Sequence, residues 1–224
     1  MCLAYLRLDP ERRAITLPQL LLAALGGVAV VANWLLLFSA YGRASISVAT
    51  VVYNTQPFML VAFGALLFLE RLTAGTLLWL ALAFVGLVLI VAAKPDLGGA
   101  DYGSGVLLAL GAAFAYAVAA VIAKRLSDVP PPILVFIQLC VGMMMLAPFA
   151  NLSDPPQDLR TWTLLATVGV AHTGLMFLLL YSAIQRLPTA LTGALAFIYP
   201  VVAIAVDVVA FGRRLDPMQI AGME

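Results

Sequence analysis

The sequence predicts an all-α integral membrane protein, a multi-span helical bundle. Three observations predict it: an apolar excess, long windows without formal charge, and an internal repeat. Of 224 residues, 64% are hydrophobic and 10% charged, whereas a soluble globular domain is close to half apolar and about one-quarter charged. Acidic and basic residues are segregated, which leaves seven uncharged windows at residues 14 to 42, 44 to 69, 72 to 93, 102 to 123, 129 to 153, 161 to 185 and 187 to 206. Each holds at least 20 residues, enough at about 1.5 Å per residue to cross a hydrocarbon core of roughly 30 Å. A membrane barrel would instead alternate in segments of about ten residues. Continuous apolar windows therefore read as helices, the segments that satisfy their own backbone in lipid.

Helices are predicted over residues 19 to 42, 45 to 69, 74 to 93, 103 to 124, 132 to 150, 161 to 185 and 188 to 211. The first closes on the small-residue turn Ser39-Ala40-Tyr41-Gly42-Arg43, and the second runs through Pro57 to Phe68-Leu69-Glu70-Arg71. Lys94-Pro95-Asp96-Leu97-Gly98-Gly99 separates the third from the fourth, Asp128-Val129-Pro130-Pro131-Pro132 the fourth from the fifth, and Ser153-Asp154-Pro155-Pro156 the fifth from the sixth. Gly and Pro punctuate such links, and links this short make sequence neighbours antiparallel. No short apolar segment with a small-residue cleavage site precedes the first window, so the first span is expected to insert and stay. Basic residues divide seven to five between alternate loops, which puts the N-terminal stub in the cytoplasm.

Sliding residues 21 to 72 onto 164 to 215, an offset of 143, gives 15 identities in 52 without gaps. Arg43 falls on Arg186, Pro57 on Pro200 and Arg71 on Arg214. The second copy enters the membrane from the opposite side, because its first span stands five after that of the first copy. Inverted repeats build many secondary transporters, with the substrate site at the repeat interface near the midplane. A five-span unit would need two more spans before residue 19 and another after residue 218. Seven spans of an expected ten are thus read here, with residues 1–98 as the first repeat, lacking its first two spans, and 99–224 as the second, lacking most of its last.

The turn Ser39 to Arg43, the span from Tyr53 to Pro57 and its close on Phe68-Leu69-Glu70-Arg71 recur as Ser182 to Arg186, Tyr199-Pro200 and Phe211-Gly212-Arg213-Arg214. In this pattern the chain resembles the drug/metabolite transporter superfamily, specifically its EamA-type domain pair. The resemblance implies two inverted bundles of five spans, alternating access, and movement of small metabolites or drugs across the plasma (inner) membrane, with export favoured. One departure stands out, because the family's second copy usually has an acidic residue where this chain has Arg213. Whatever Glu70 does is then not duplicated.

Pro57 and Pro200 fall mid-span, where proline removes a helix hydrogen bond and kinks the chain. The freed carbonyls of Tyr53 and Ala196 need protein, water or ligand partners. Tyr53, Asn54, Gln56, Phe197 and Tyr199 lie at the same depth and make up, with the two prolines, the candidate substrate site. A structural kink with helix-to-helix hydrogen bonds is the competing reading. His172, the sole histidine, sits near the centre of its span, where ionisable groups usually mark pathways. It is read as a contact for substrate or a coupling proton, against a neutral histidine with one structural hydrogen bond. Asp207 lies about a turn from its span end and suits an interfacial role. Asn33 and Trp34 are expected to pack in the core.

Gly111, Ala115, Ala119 and Ala123 recur every four residues and form a packing stripe, for contacts within the chain or for a homodimer. The expected partners are a small-molecule substrate and the lipid bilayer. A net charge of +1 argues against nucleic acid. Cys2 and Cys140 predict no disulfide, and no metal site or cofactor is expected. An enzyme is not expected either: there is no His-Glu-x-x-His pair, Gly-x-Ser-x-Gly elbow or pair of intramembrane aspartates. A non-transporting scaffold or inactive fragment is the alternative to a transporter.

Overall fold

Runs of Leu, Ala and Val with no mid-run charge have one way to satisfy their backbone in lipid, the α-helix. The computed structural model describes residues 15–44, 46–92, 101–150, 156–198 and 202, and their regular structure is helical throughout. In chain order the helices are α1 (Leu17–Tyr41), α2 (Ile46–Tyr53), α3 (Gln56–Phe68), α4 (Ala74–Ala92), α5 (Tyr102–Arg125), α6 (Pro131–Leu146), α7 (Leu159–Thr167), α8 (Met176–Arg186) and α9 (Thr189–Ala196). A 3-10 turn, Ala147–Phe149, extends α6, and a π-helical segment, Val168–Leu175, joins α7 to α8. Five stretches among the described residues are long and apolar enough to cross a membrane: Leu17–Tyr41, Val48–Phe68, Tyr102–Arg125, Pro131–Phe149 and Leu159–Arg186. Ala74–Gly86 is a shorter apolar stretch. The span predicted over 188 to 211 is described only in its first part, as α9.

The helix ends follow local chemistry. Pro130 precedes α6, which has proline in its first turn, where the missing N–H costs nothing. Asp158 caps α7 by accepting a 2.7 Å hydrogen bond from the Thr161 N–H, and that bond holds its carboxyl below the ordinary aspartate range. Trp162 donates from Nε1 to the Pro156 carbonyl at 2.8 Å, as suits an indole at a membrane boundary. Leu69 ends α3 in the left-handed region (φ 53°), a position the 143-residue register gives to Gly212 in the second copy. The first copy thus accepts at a leucine the strain a glycine would avoid.

The described residues divide into two compact units. One takes the chain up to Val31 and from Ile122 to Arg186; the other takes Ala32 to Val121 and the chain from Leu187. In the first unit Gly26 and Gly27 bring α1 against α6, where added Cβ atoms would meet Gln138 and Val141. Gln138 accepts a short hydrogen bond from the Tyr181 hydroxyl in α8. Gln185 donates from Nε2 to the carbonyls of Leu126 (3.1 Å) and Val129 (3.0 Å), tying the end of α8 to the α5–α6 turn. Cys140 is a half-buried free thiol.

The second unit is built on alanine and glycine. Ala40, Ala49 and Ala109 are fully buried, with Tyr41, Val52 and Leu108 packed around them. Gly105 of α5 lies so close to Ala44 that a Cβ would overlap the Ala44 backbone. Of the predicted small-residue stripe, Ala119 and Ala123 are buried, each inside its own unit. Gly105→Ala should lower stability by about 1–3 kcal/mol through overpacking. At Gly103 a Cβ meets open space, so Gly103→Ala should be neutral or stabilising by up to about 1 kcal/mol. Thermal melting of the two variants in detergent checks the contrast.

Candidate functional site

The span that contains Pro57 is discontinuous. α2 stops at Tyr53, Asn54 and Thr55 form a turn, and α3 starts at Gln56 with Pro57 in its first turn. Thr55 keeps near-helical dihedrals (φ −74°, ψ −13°), so the helix is interrupted rather than folded back. Local side chains add second donors to carbonyls that backbone N–H groups already reach, Thr50 from Asn54 at 3.0 Å and Val52 from Thr55 at 3.1 Å. Asn54 donates from Nδ2 to the Thr50 carbonyl at 2.8 Å, and the Thr55 hydroxyl donates to Val52 at 2.7 Å. The second copy stops at the matching position, since α9 ends at Ala196, 143 residues after Tyr53.

Around the break, Asn33 of α1 uses its amide twice. Nδ2 donates to the Ala112 carbonyl of α5 at 2.9 Å and to the Tyr53 hydroxyl at 3.2 Å. A tyrosine hydroxyl that accepts one bond retains its own proton to donate. The Tyr116 ring meets Tyr53 edge-on at 6.3 Å. Gln56 is 8% exposed, and its Oε1 is a buried acceptor with no hydrogen-bond partner. On the far side of Pro57, Phe58 packs edge-on against Phe84 at 5.5 Å and Phe197 at 6.4 Å. The interrupted span thus gathers a hydroxyl, a buried amide oxygen without a hydrogen-bond partner and packed aromatic rings, with no formal charge.

α9 packs along α3 in the antiparallel sense. Gly193 lies against Pro57 and Val61, and Gly64 lies against Thr189, whose hydroxyl a Cβ at Gly64 would overlap. Thr189 is 1% exposed. Beyond Gly64 the left-handed turn at Leu69 leads to Glu70, whose Oε2 accepts from the Thr189 N–H (2.9 Å) and hydroxyl (2.5 Å). The carboxylate therefore caps the first turn of α9, a favourable place for negative charge.

Of the sequence-predicted site, Tyr53, Asn54, Gln56, Pro57 and Phe197 come together in one unit. Tyr199 and Pro200 lie outside the described residues, as do Asp207 and Arg213. His172 stands in the other unit, exposed within the π-helical segment. π-helical insertions occur often at functional positions. Sequence reasoning set Asn33 aside as packing and overlooked Tyr116, Phe58 and Phe84. An asparagine in an otherwise apolar span was the available signal, since a buried amide requires partners. Among the described residues, no three of His, Cys, Asp and Glu gather to hold a metal ion.

Apolar spans, small-residue packing and a discontinuous helix define an integral membrane protein of the helical class. The model of the EamA-like transporter family matches residues 1–92 and 103–223, and the chain belongs to that family. The uncharacterized transporter YxxF of Bacillus subtilis (strain 168) is 28% identical over 201 residues, which is 88% of this chain and 64% of that protein. A probable amino-acid metabolite efflux pump of Salmonella typhimurium (strain LT2) is 28% identical over 188 residues, 78% of this chain and 62% of the pump. The chain spans less than two thirds of the length of these curated relatives. A crystal structure of another protein shares the fold with a TM-score of 0.73 at 20% identity, over 91% of this chain and 81% of its own.

Replacing Asn33 by alanine should remove the bond to Tyr53 and leave the Ala112 carbonyl with its helical partner only. A double-mutant cycle of Asn33→Ala with Tyr53→Phe should give a coupling of about 0.6–1.7 kcal/mol, the range for hydrogen bonds between membrane helices. Detergent unfolding of the four proteins measures it.

Proposed function

We propose that the protein moves small metabolites across the plasma membrane as a multi-pass secondary transporter working by alternating access, in the direction of efflux. The observation that carries this reading is the span interrupted at Asn54-Thr55, with Gln56 buried and its amide oxygen open. In lipid an interrupted helix is tolerated where it lines a cavity or is covered by protein, and discontinuous helices form the substrate sites of many carriers. The matching stop at Ala196 in the second copy supports a site shared by repeats 1–98 and 99–224.

Tyr53, Asn54, Gln56, Pro57, Phe197, Tyr199 and Pro200 form the proposed substrate site. The Tyr53 hydroxyl can donate and Gln56 Oε1 can accept, with phenylalanine edges alongside. Such a lining fits a neutral, zwitterionic or amphipathic solute better than a multiply charged one. The pump from Salmonella typhimurium is described as acting on an amino-acid metabolite, and that class suits one donor, one acceptor and an apolar wall. His172, in its π-helical segment, is proposed as the group that meets the coupling proton. A homodimer through exposed helix faces is part of the same proposal.

Efflux of labelled amino-acid metabolites from proteoliposomes containing the full-length protein tests this reading. Pro57→Ala combined with Tyr199→Ala should reduce the rate at least tenfold, and Gln56→Leu should raise KM by about fivefold to tenfold, as expected for one lost hydrogen bond. Unchanged transport in the double variant would mean that the substrate binds elsewhere.

A further inference from the structure

We infer that Glu70 is a one-sided latch: its carboxylate holds the first turn of α9 to the end of α3, and its release opens the seam between these helices from that membrane face alone. The inference rests on the transport reading above and adds to it which end of the antiparallel pair is held.

The seam is tight along its length. Pro57 and Val61 meet Gly193, Gly64 meets Thr189, and Glu70 closes the end with two hydrogen bonds to Thr189. Contacts at the glycines are short-ranged and non-directional, so they allow two packed helices to slide. The two bonds from Thr189 are directional and charge-assisted, and they engage a backbone N–H that the helix itself cannot satisfy. Separating the helices at this end therefore requires breaking them together. Leu69 aims the carboxylate, since its left-handed backbone ends α3 and turns the chain toward Thr189.

The repeat does not carry the same residues in its other copy. By the 143-residue register, Glu70 corresponds to Arg213 and Thr189 to Ile46. An arginine offers no acceptor, and an isoleucine offers no hydroxyl. Gly64, which admits Thr189 to the seam, corresponds to Asp207. All three residue types of the latch are thus replaced in the other copy.

Side-specific thiol labelling tests the latch. Cys2 and Cys140 are replaced by serine in the full chain, and Val61→Cys places one thiol in the seam, where Val61 is 2% exposed. Right-side-out and inside-out vesicles are treated with a membrane-impermeant maleimide. A separate Leu69→Cys protein, at a position 84% exposed, reports which face Glu70 occupies. Glu70→Ala should raise Val61→Cys labelling about tenfold from that face and leave labelling from the other face unchanged, as loss of a charge-assisted bond implies. Glu70→Gln retains an acceptor for Thr189 and should give a smaller rise from the same face. Should Glu70→Ala fail to fold, Glu70→Gln and Thr189→Ala serve in its place under the same criterion. No rise from the Glu70 face, or an equal rise from both faces, overturns the inference. Labelling requires no substrate, so efflux with unchanged labelling refutes the latch, whereas one-sided labelling without efflux refutes the transport reading and leaves the latch standing.

Discussion

The backbone of a membrane span must find all its hydrogen-bond partners inside the protein, and the interruption at Asn54-Thr55 is where this chain meets that constraint hardest. A proline at position 57 withholds the N–H that would have reached Tyr53. Side chains reinforce the backbone bonds beside it: Asn54 doubles on the Thr50 carbonyl and Thr55 on that of Val52. Asn33 comes in from α1 to hold the Tyr53 hydroxyl. Gln56 is the exception, with an oxygen that stays open in a buried setting.

Lipid provides no hydrophobic drive between helices, so close packing must supply the adhesion. That explains why alanine and glycine make the closest contacts of the second unit, beside the buried Leu60 and Leu80. Gly64, Gly105 and Gly193 each sit where a side chain would meet a neighbouring helix, while Leu66, Leu67, Leu78 and Trp79 face outward. The usual soluble pattern of large apolar residues inside is inverted in size. Close backbone approach also brings Thr189 within reach of Glu70, so the polar bond at the helix end depends on the glycine next to it.

Much of the fold was legible because membrane spans are written in long runs. The expected helices 19 to 42, 103 to 124 and 161 to 185 correspond to Leu17–Tyr41, Tyr102–Arg125 and Leu159–Arg186. Pro57 announced the break, and the repeat announced its twin. The contacts were not legible, because they join residues far apart in sequence through surfaces that composition does not specify. Asn33 looked like core until Ala112 and Tyr53 were placed beside it, 79 and 20 residues away. Gln138 with Tyr181, and Glu70 with Thr189, were hidden in the same way. The π-helical segment at Val168–Leu175 left no trace either, because its first-copy equivalents lie in regular helix.

An inverted repeat with identical halves would hold its two ends with equal energy, and either end would open as readily. This chain has kept the register of its repeats, from Arg43 and Arg186 through Pro57 and Pro200 to Arg71 and Arg214, while the residues that seat Glu70 on Thr189 differ between the copies. Leu69 stands opposite Gly212, Glu70 opposite Arg213, and Ile46 opposite Thr189. In the proposed alternating-access cycle such a difference would act on the balance between conformations, where about 1.4 kcal/mol changes the population ratio tenfold. One carboxylate seated on one helix end is of that order. Under the proposed alternating access, a bias of that size would set the resting face without altering the fold, because it acts on one helix end and leaves the packing of the spans as it is.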